Sequence, residues 1–152
     1  MIWLDFETRS TCDLKSRGVY NYAQDLTTEV LCMSYAVNDG EVQTWTTGPL
    51  PDLTGHRIMA HNAAFERLIC WYVLQVNIPL ESFYCTAAQA RANCAPGSLE
   101  DVGRFMGASM KKDHRGAALI RKMGVPPFQE SAELTAEMVA YARSLVDDVE
   151  FS

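Results

Sequence analysis

No stretch of this chain comes near the ~18 consecutive apolar residues that a membrane-spanning helix needs, and its first residues lack the basic-then-apolar pattern of a secretory signal. A membrane partner is therefore not expected. The cysteines, Cys12, Cys32, Cys70, Cys85 and Cys94, are odd in number and no two form a CxxC pair, which points to free thiols in a reducing cytoplasm. Internal repeats, low-complexity tracts and interdomain linkers are also missing, so 1–152 reads as one domain, long enough to bury a core. Nor is there an excess of positive charge. The net charge of −6 argues against a passive coat for nucleic acid, though not against an enzyme whose carboxylates hold cations.

What is present is the composition of an ordinary globular protein, 48% hydrophobic and 21% charged. Met1–Phe6 is an apolar run broken by one acid and suits a buried strand. GVYNYAQDLTTE follows as an ordered excursion with aromatic anchors. Val30–Val37 is a second strand, Asn38-Asp39-Gly40 a turn, and Glu41–Trp45 alternates as the other arm of a β-hairpin. Gly48–Gly55, with two prolines, is a loop. Arg57–Ala60 predicts a short strand, and AAFERLICWYVLQV (63–76) a helix. Phe83–Thr86 suits a further strand. Ala87–Ala95 and Ser98–Met106 are helical, parted by Pro96-Gly97, with Ser98 and Asp101 as a capping box. A mixed, basic stretch over 108–129 precedes a last helix from about Ser131. The order implies an α/β fold with a central mixed β-sheet flanked by helices.

Two segments carry the chemistry. In Asp5-Phe6-Glu7, alternation along a strand sends both carboxylates to one face, where they suit Mg²⁺ or Mn²⁺, although acids at strand ends are commonly just solvated. In AHNAAFER, a strand end delivers His61 and Asn62, and the next helix places Glu66 on its first turn. Glu66 also suits simple helix capping, His61 a structural histidine and Phe65 a core residue.

WLDFET followed by AHNAAFER resembles the first two motifs of DEDD-type 3′–5′ exonucleases, a ribonuclease H-like, DnaQ-like superfamily. The resemblance is nearest to the proofreading domain of bacteriophage family A DNA polymerases. DLKSRGVYNYA, TTEVLCMSYA, CTAAQARA, PGSLEDVGRFMG and KKDHRGAALIRKM extend it, in order, over nearly the whole chain. It implies a ribonuclease H-like fold and a two-metal-ion hydrolysis of the last phosphodiester at a single-stranded DNA 3′ end. Asp5, Glu7, Glu66 and a third-motif acid would bind two divalent cations, Mg²⁺ or Mn²⁺. One ion would lower the pKa of the attacking water and the other would stabilise the leaving 3′ oxygen. His61, Asn62, Phe65 and Lys112 would contact the strand. A DNA polymerase would be a natural partner, and the cytoplasm of a host cell the location if the source is viral.

The third motif departs from the family's Tyr followed four residues later by Asp. Tyr141 is followed at that distance by Leu145, and the acids are Asp147 and Asp148. Leu134, Met138, Tyr141, Leu145 and Val149 predict the buried stripe of the last helix. Asp148, almost in line with Tyr141, is the expected ligand, leaving the tyrosine ~4.5 Å too far back along the axis to orient water as in the family. That displacement keeps open a second reading, a catalytically weakened relative that binds nucleic acid or a polymerase. RNA in place of DNA is a third. The basic run Lys111, Lys112, His114, Arg115, Arg121 and Lys122 suits either phosphate contact or a solvated loop. Tyr20, Tyr22 and Trp45 suit either base stacking or core anchoring, and Arg67 is expected to pair with a nearby acid.

Overall fold

The structure, a computed structural model, describes residues 1–107 and 115–150, with side chains in the second stretch up to Val146. Strand β1 (Ile2–Arg9) is the spine, its odd and even residues facing opposite layers. Strand β2 (Glu29–Val37) pairs with it antiparallel, and β3 (Gln43–Trp45) continues beyond β2, also antiparallel. On the other side β4 (Ile58–Ala60) and β5 (Phe83–Cys85) are parallel, giving a mixed five-stranded sheet in the order β3-β2-β1-β4-β5. The predicted hairpin is therefore present. Asn38 takes a left-handed backbone, φ 51°, and Gly40 N–H closes the turn on Val37 O.

The aromatic excursion is a helix, α1 (Leu14–Gln24), started by Asp13, whose side chain accepts the Lys15 amide, and kinked at Gly18, φ 79°. Helix α2 (Ala64–Tyr72) stops before the predicted Val76, because the apolar run VLQV past Tyr72 leaves the helical path, with Gln75 at φ 57°. Helices α3 (Thr86–Ala92) and α4 (Leu99–Phe105) are parted as expected, and Ser98 Oγ caps α4 by accepting the Asp101 amide while donating to Asp101 Oδ2. A short helix, α5 (Gly116–Leu119), runs into a π-helical turn, Ile120–Gly124, and α6 (Ala132–Glu150) begins where Ser131 Oγ accepts the Leu134 amide.

Two cores lie on opposite faces of the sheet. Ile2, Leu4, Phe6 and Met33 pack with Leu68, Ile69 and Tyr22 of α1 and α2. Cys32 packs on the other face with Leu119 of α5, Met123 of the π-helical turn, and Met138, Tyr141 and Ala142 of α6. The α6 stripe differs from the prediction. Among its described side chains Met138, Tyr141, Ala142 and Val146 are buried, and Leu134 and Leu145 only flank them, because the helix also lays its Ala142 side on the sheet; the side chain of Val149 lies outside the described residues. Gly116 makes that approach possible, since a methyl group there would run into the Tyr141 ring. Gly116→Ala is expected to cost about 1–3 kcal/mol through overpacking, seen by calorimetry as a Tm lower by several degrees. An unchanged Tm would mean that the Tyr141 ring moves freely.

Candidate active site

The strand register assembles the site. Strand β4 pairs with β1 at Ile2↔Ile58 and Trp3↔Met59, so the same register puts Asp5 opposite His61, just where β4 has ended. The chain then turns through Asn62, at φ 68°, and enters α2, bringing Glu66 to the edge that β4 leaves open. Asparagine tolerates this left-handed conformation better than most residues. Asp5 and Glu7 lie inside β1, which continues to Arg9, rather than at a strand end, and they share the face that carries Trp3. Ser34 and Cys32 of β2 stand directly opposite them.

Two of the three acids are buried and the third is partly so. Glu66 is 3% exposed and Glu7 8%, while Asp5 keeps a little open surface yet has its Oδ2 fully enclosed. Burial pushes the Asp5 carboxyl from 3.8 up to about 7. Burial, and then the charge of Asp5, holds Glu7 well above the usual glutamate value. Glu66 is raised by burial first and then by Asp5, with a smaller push from Glu7, against a hydrogen bond from its own backbone N–H. The three groups, distant in sequence, thus share one electrostatic neighbourhood. Neither Asp5 Oδ2 nor Glu66 Oε2 accepts a hydrogen bond. A buried ionised carboxylate without a partner is costly, so such a site binds protons or a cation. That satisfies the chemical demand of a divalent ion for hard oxygens. Among the described residues, however, no three His, Cys, Asp or Glu side chains form a metal-binding group by themselves. The side chain of Asp148 lies outside the described residues, as does Lys112.

The other predicted residues divide. Both ring nitrogens of His61 are engaged within the protein, Nδ1 with Thr86 Oγ1 at 2.9 Å and Nε2 with Gly97 O at 2.9 Å, so it ties β4 to α3 and to the loop before α4. Its pKa is lowered, by burial first and by Arg91. Asn62 is exposed beside the site. Phe65 is half-buried against the first core, with its ring centroid 6.1 Å from that of Tyr22. Tyr141 is buried in the second core. Tyr22 and Trp45 are core anchors, whereas Tyr20 is exposed. Arg67 makes no ion pair among the described residues, contrary to expectation, because the one acid of its helix, Glu66, faces inward. Arg121 and Lys122 are exposed, while Lys111 and His114 lie outside the described residues.

Sequence reasoning missed Ser34, fully buried opposite Asp5 with its hydroxyl unpartnered, as is Thr44 Oγ1 beside it on β3. A lone hydroxyl inside the apolar VLCMSYAV was the available signal. It also missed the clasp behind Glu7, where Thr8 Oγ1 and Tyr22 Oη lie 2.7 Å apart and Thr28 Oγ1 donates to Ser10 Oγ at 2.7 Å. Cys85 neighbours Glu66; burial raises its thiol, but the Ala88, Ala63, Asn62 and Ala87 amides outweigh this and lower it overall. All the cysteines are free, as expected.

Fold and site together define an α/β domain with a mixed five-stranded sheet and a buried three-carboxylate cluster at the edge of its central strand. No family model matches the chain. It is 33% identical over 133 residues to a DNA polymerase of Bacillus phage SP02, an alignment covering 81% of this chain and 20% of that polymerase. The chain therefore spans about a fifth of the length of this relative. No helix among the described residues is long and apolar enough to cross a membrane.

Proposed function

We propose that this domain is a ribonuclease H-like, metal-dependent 3′–5′ exonuclease acting on single-stranded DNA ends, associated with a DNA polymerase. The observation that carries the reading is the convergence of Asp5, Glu7 and Glu66 in one desolvated cluster with two unpartnered carboxylate oxygens. The similarity to a phage DNA polymerase supports it. Asp5, Glu7 and Glu66, completed by Asp148, would hold two Mg²⁺ or Mn²⁺ ions. Such ions, when bound, activate water and neutralise charge on the phosphate in an in-line displacement.

The protein's own residues set the stage for that chemistry. The β1 backbone fixes Asp5 and Glu7 on one face, and the α2 first turn fixes Glu66 against them. The Thr8–Tyr22 and Ser10–Thr28 bonds stiffen the strand behind Glu7. Asn62, exposed four residues before Glu66, would contact the terminal nucleotide. Burial of Glu7 and Glu66 strengthens the charge interactions among the three acids.

A second reading, a non-hydrolytic relative that binds nucleic acid or a polymerase, is favoured by one observation. Leu145 stands four residues after Tyr141, and both pack in the second core. Incubation with a 5′-labelled single strand and Mn²⁺ separates the two. Stepwise shortening that Asp5→Ala abolishes supports the exonuclease, while strand binding without digestion under any divalent metal supports the second reading. An RNA strand in parallel tests sugar selectivity.

A further inference from the structure

Among the described residues, five buried side-chain polar atoms have no hydrogen-bond partner, and they lie close together in the fold. Asp5 Oδ2 and Glu66 Oε2 belong to the carboxylate cluster. Ser34 Oγ and Thr44 Oγ1 stand in the same cross-strand row as Asp5, since Asp5 pairs with Ser34 and Ser34 with Thr44. Trp3 Nε1 belongs to the residue two before Asp5, on the same face of β1. Three of the five atoms carry a hydrogen to donate, and the other two are oxygens that accept once ionised. Most buried polar groups in folded proteins are paired, so a local group of unpaired ones calls for an explanation.

Size does not provide it. On this face β2 contributes Cys32, Ser34 and Ala36, all buried and all small, and α6 packs on β2. Alanine would serve that packing as well as serine does, without burying a hydroxyl that nothing satisfies. The one hydroxyl of the three stands opposite Asp5, whereas Cys32 faces Glu7 and Ala36 faces Trp3. Directly paired residues on one face have Cβ atoms about 4.5–5.5 Å apart, a gap that rotation about both χ1 bonds closes to a hydrogen bond.

We infer that Ser34 is a positioning residue for Asp5: with Asp5 ionised, the Ser34 hydroxyl donates to its enclosed oxygen, Oδ2, and the Thr44 hydroxyl donates to Ser34 Oγ. An ionised carboxylate offers about four lone-pair directions, so this bond leaves others for a cation. Hydrogen bonds to charged groups are the strong ones, and a short chain of hydroxyls polarises along its length. The row thereby fixes the plane of the Asp5 carboxylate from the β2 side, as partners behind a metal ligand do. This deepens the proposed function and rests on it for the cation that Asp5 would hold.

The test pairs calorimetric titration with Mn²⁺ and melting curves in EDTA. Ser34→Ala is expected to weaken Mn²⁺ binding about 10- to 100-fold, the range for losing a group that orients a metal ligand. Its Tm in EDTA is expected to equal or exceed that of the wild type, because an unsatisfied hydroxyl has been removed. Ser34→Thr, which restores a hydroxyl, is expected to recover most of the affinity, and Thr44→Val, of the same shape without the donor, to lose less than Ser34→Ala. Mn²⁺ affinities within twofold of wild type in Ser34→Ala and Thr44→Val would overturn the inference. A lowered Tm with unaltered Mn²⁺ binding, the mark of a merely structural hydroxyl, would also overturn it, as would a wild type that takes up no Mn²⁺. Should Ser34→Ala not fold, Thr44→Val decides by the same criterion. If the wild type binds Mn²⁺ with this pattern but digests no strand, the positioning role stands and the hydrolytic reading falls. If it digests strands while Ser34→Ala binds Mn²⁺ normally, the hydrolytic reading stands and the positioning role falls.

Discussion

Asparagine in place of Asp5 is expected to make the protein more stable at pH 8 and, at the same time, to abolish the proposed nuclease activity. Asp5 has a pKa of about 7 in the folded protein against 3.8 ordinarily, because it is buried beside Glu7 and Glu66. Between those values the native state keeps a proton that the unfolded chain has released. At pH 8 the native state has ionised too, at a cost of about 1.4 kcal/mol for each factor of ten by which folding raises the proton affinity. Asn removes that cost, and also part of the repulsion on Glu7 and Glu66. The amide still lacks a partner, and Asp5 is not wholly enclosed, so the net gain is expected at about 1–3 kcal/mol. It should vanish near pH 4, where Asp5 is protonated in the folded protein. Activity falls for the opposite reason. In the proposed two-metal site, loss of one ligand would remove several kcal/mol of charge stabilisation, at least ~10³-fold in rate. Chemical denaturation at pH 4 and pH 8, with a strand-digestion assay on the same samples, checks both. A variant less stable than wild type at pH 8 would mean that the carboxylate is satisfied in the native protein.

The whole cluster should make stability fall as pH rises, the reverse of the usual behaviour of paired surface acids. Asp5, Glu7 and Glu66 are all shifted upward, so the folded protein binds more protons than the unfolded chain from about pH 4 upward. Stability contributed by these groups is thus greatest at the acid end and is lost through pH 7, where Asp5 ionises. Divalent cations should reverse the loss, since a cation competes with the protons for the same oxygens. Mn²⁺ at 100 times its dissociation constant is expected to add about 2.7 kcal/mol at pH 8, and much less at pH 5. Melting curves with and without Mn²⁺ at both values test this. A Tm that ignores Mn²⁺ at pH 8 would separate these carboxylates from any metal chemistry. The same titration on Asp148→Asn and Asp147→Asn identifies the acid that α6 supplies, with the weakened gain expected for Asp148.

Much of the architecture can be read along the chain because it is local. The β2–β3 hairpin follows from Asn38-Asp39-Gly40, and α4 from the Ser98–Asp101 cap, since turn and cap bonds reach only a few residues. The placement of Asp5 and Glu7 on one face follows from strand alternation alone. Where α2 ends and which residues of α6 are buried were not legible. Both depend on what the helices meet, and Val146 is buried because α6 lies across β1 and β2.

By itself, then, the sequence determined the order of the strands along the chain, the helices α2, α3, α4 and α6 but not α1 or α5, the paired acids of β1, and an acid on the first turn of α2. Tertiary structure alone decided that Glu66 comes within electrostatic reach of Asp5, that Ser34 lies opposite it, and that both His61 nitrogens are taken. The parallel register that ends β4 level with Asp5 brings together residues some sixty positions apart, and no local spacing encodes a pairing between distant strands. Desolvation, which turns those acids from solvated charges into a cluster of raised proton affinity, is likewise a property of the packed sheet.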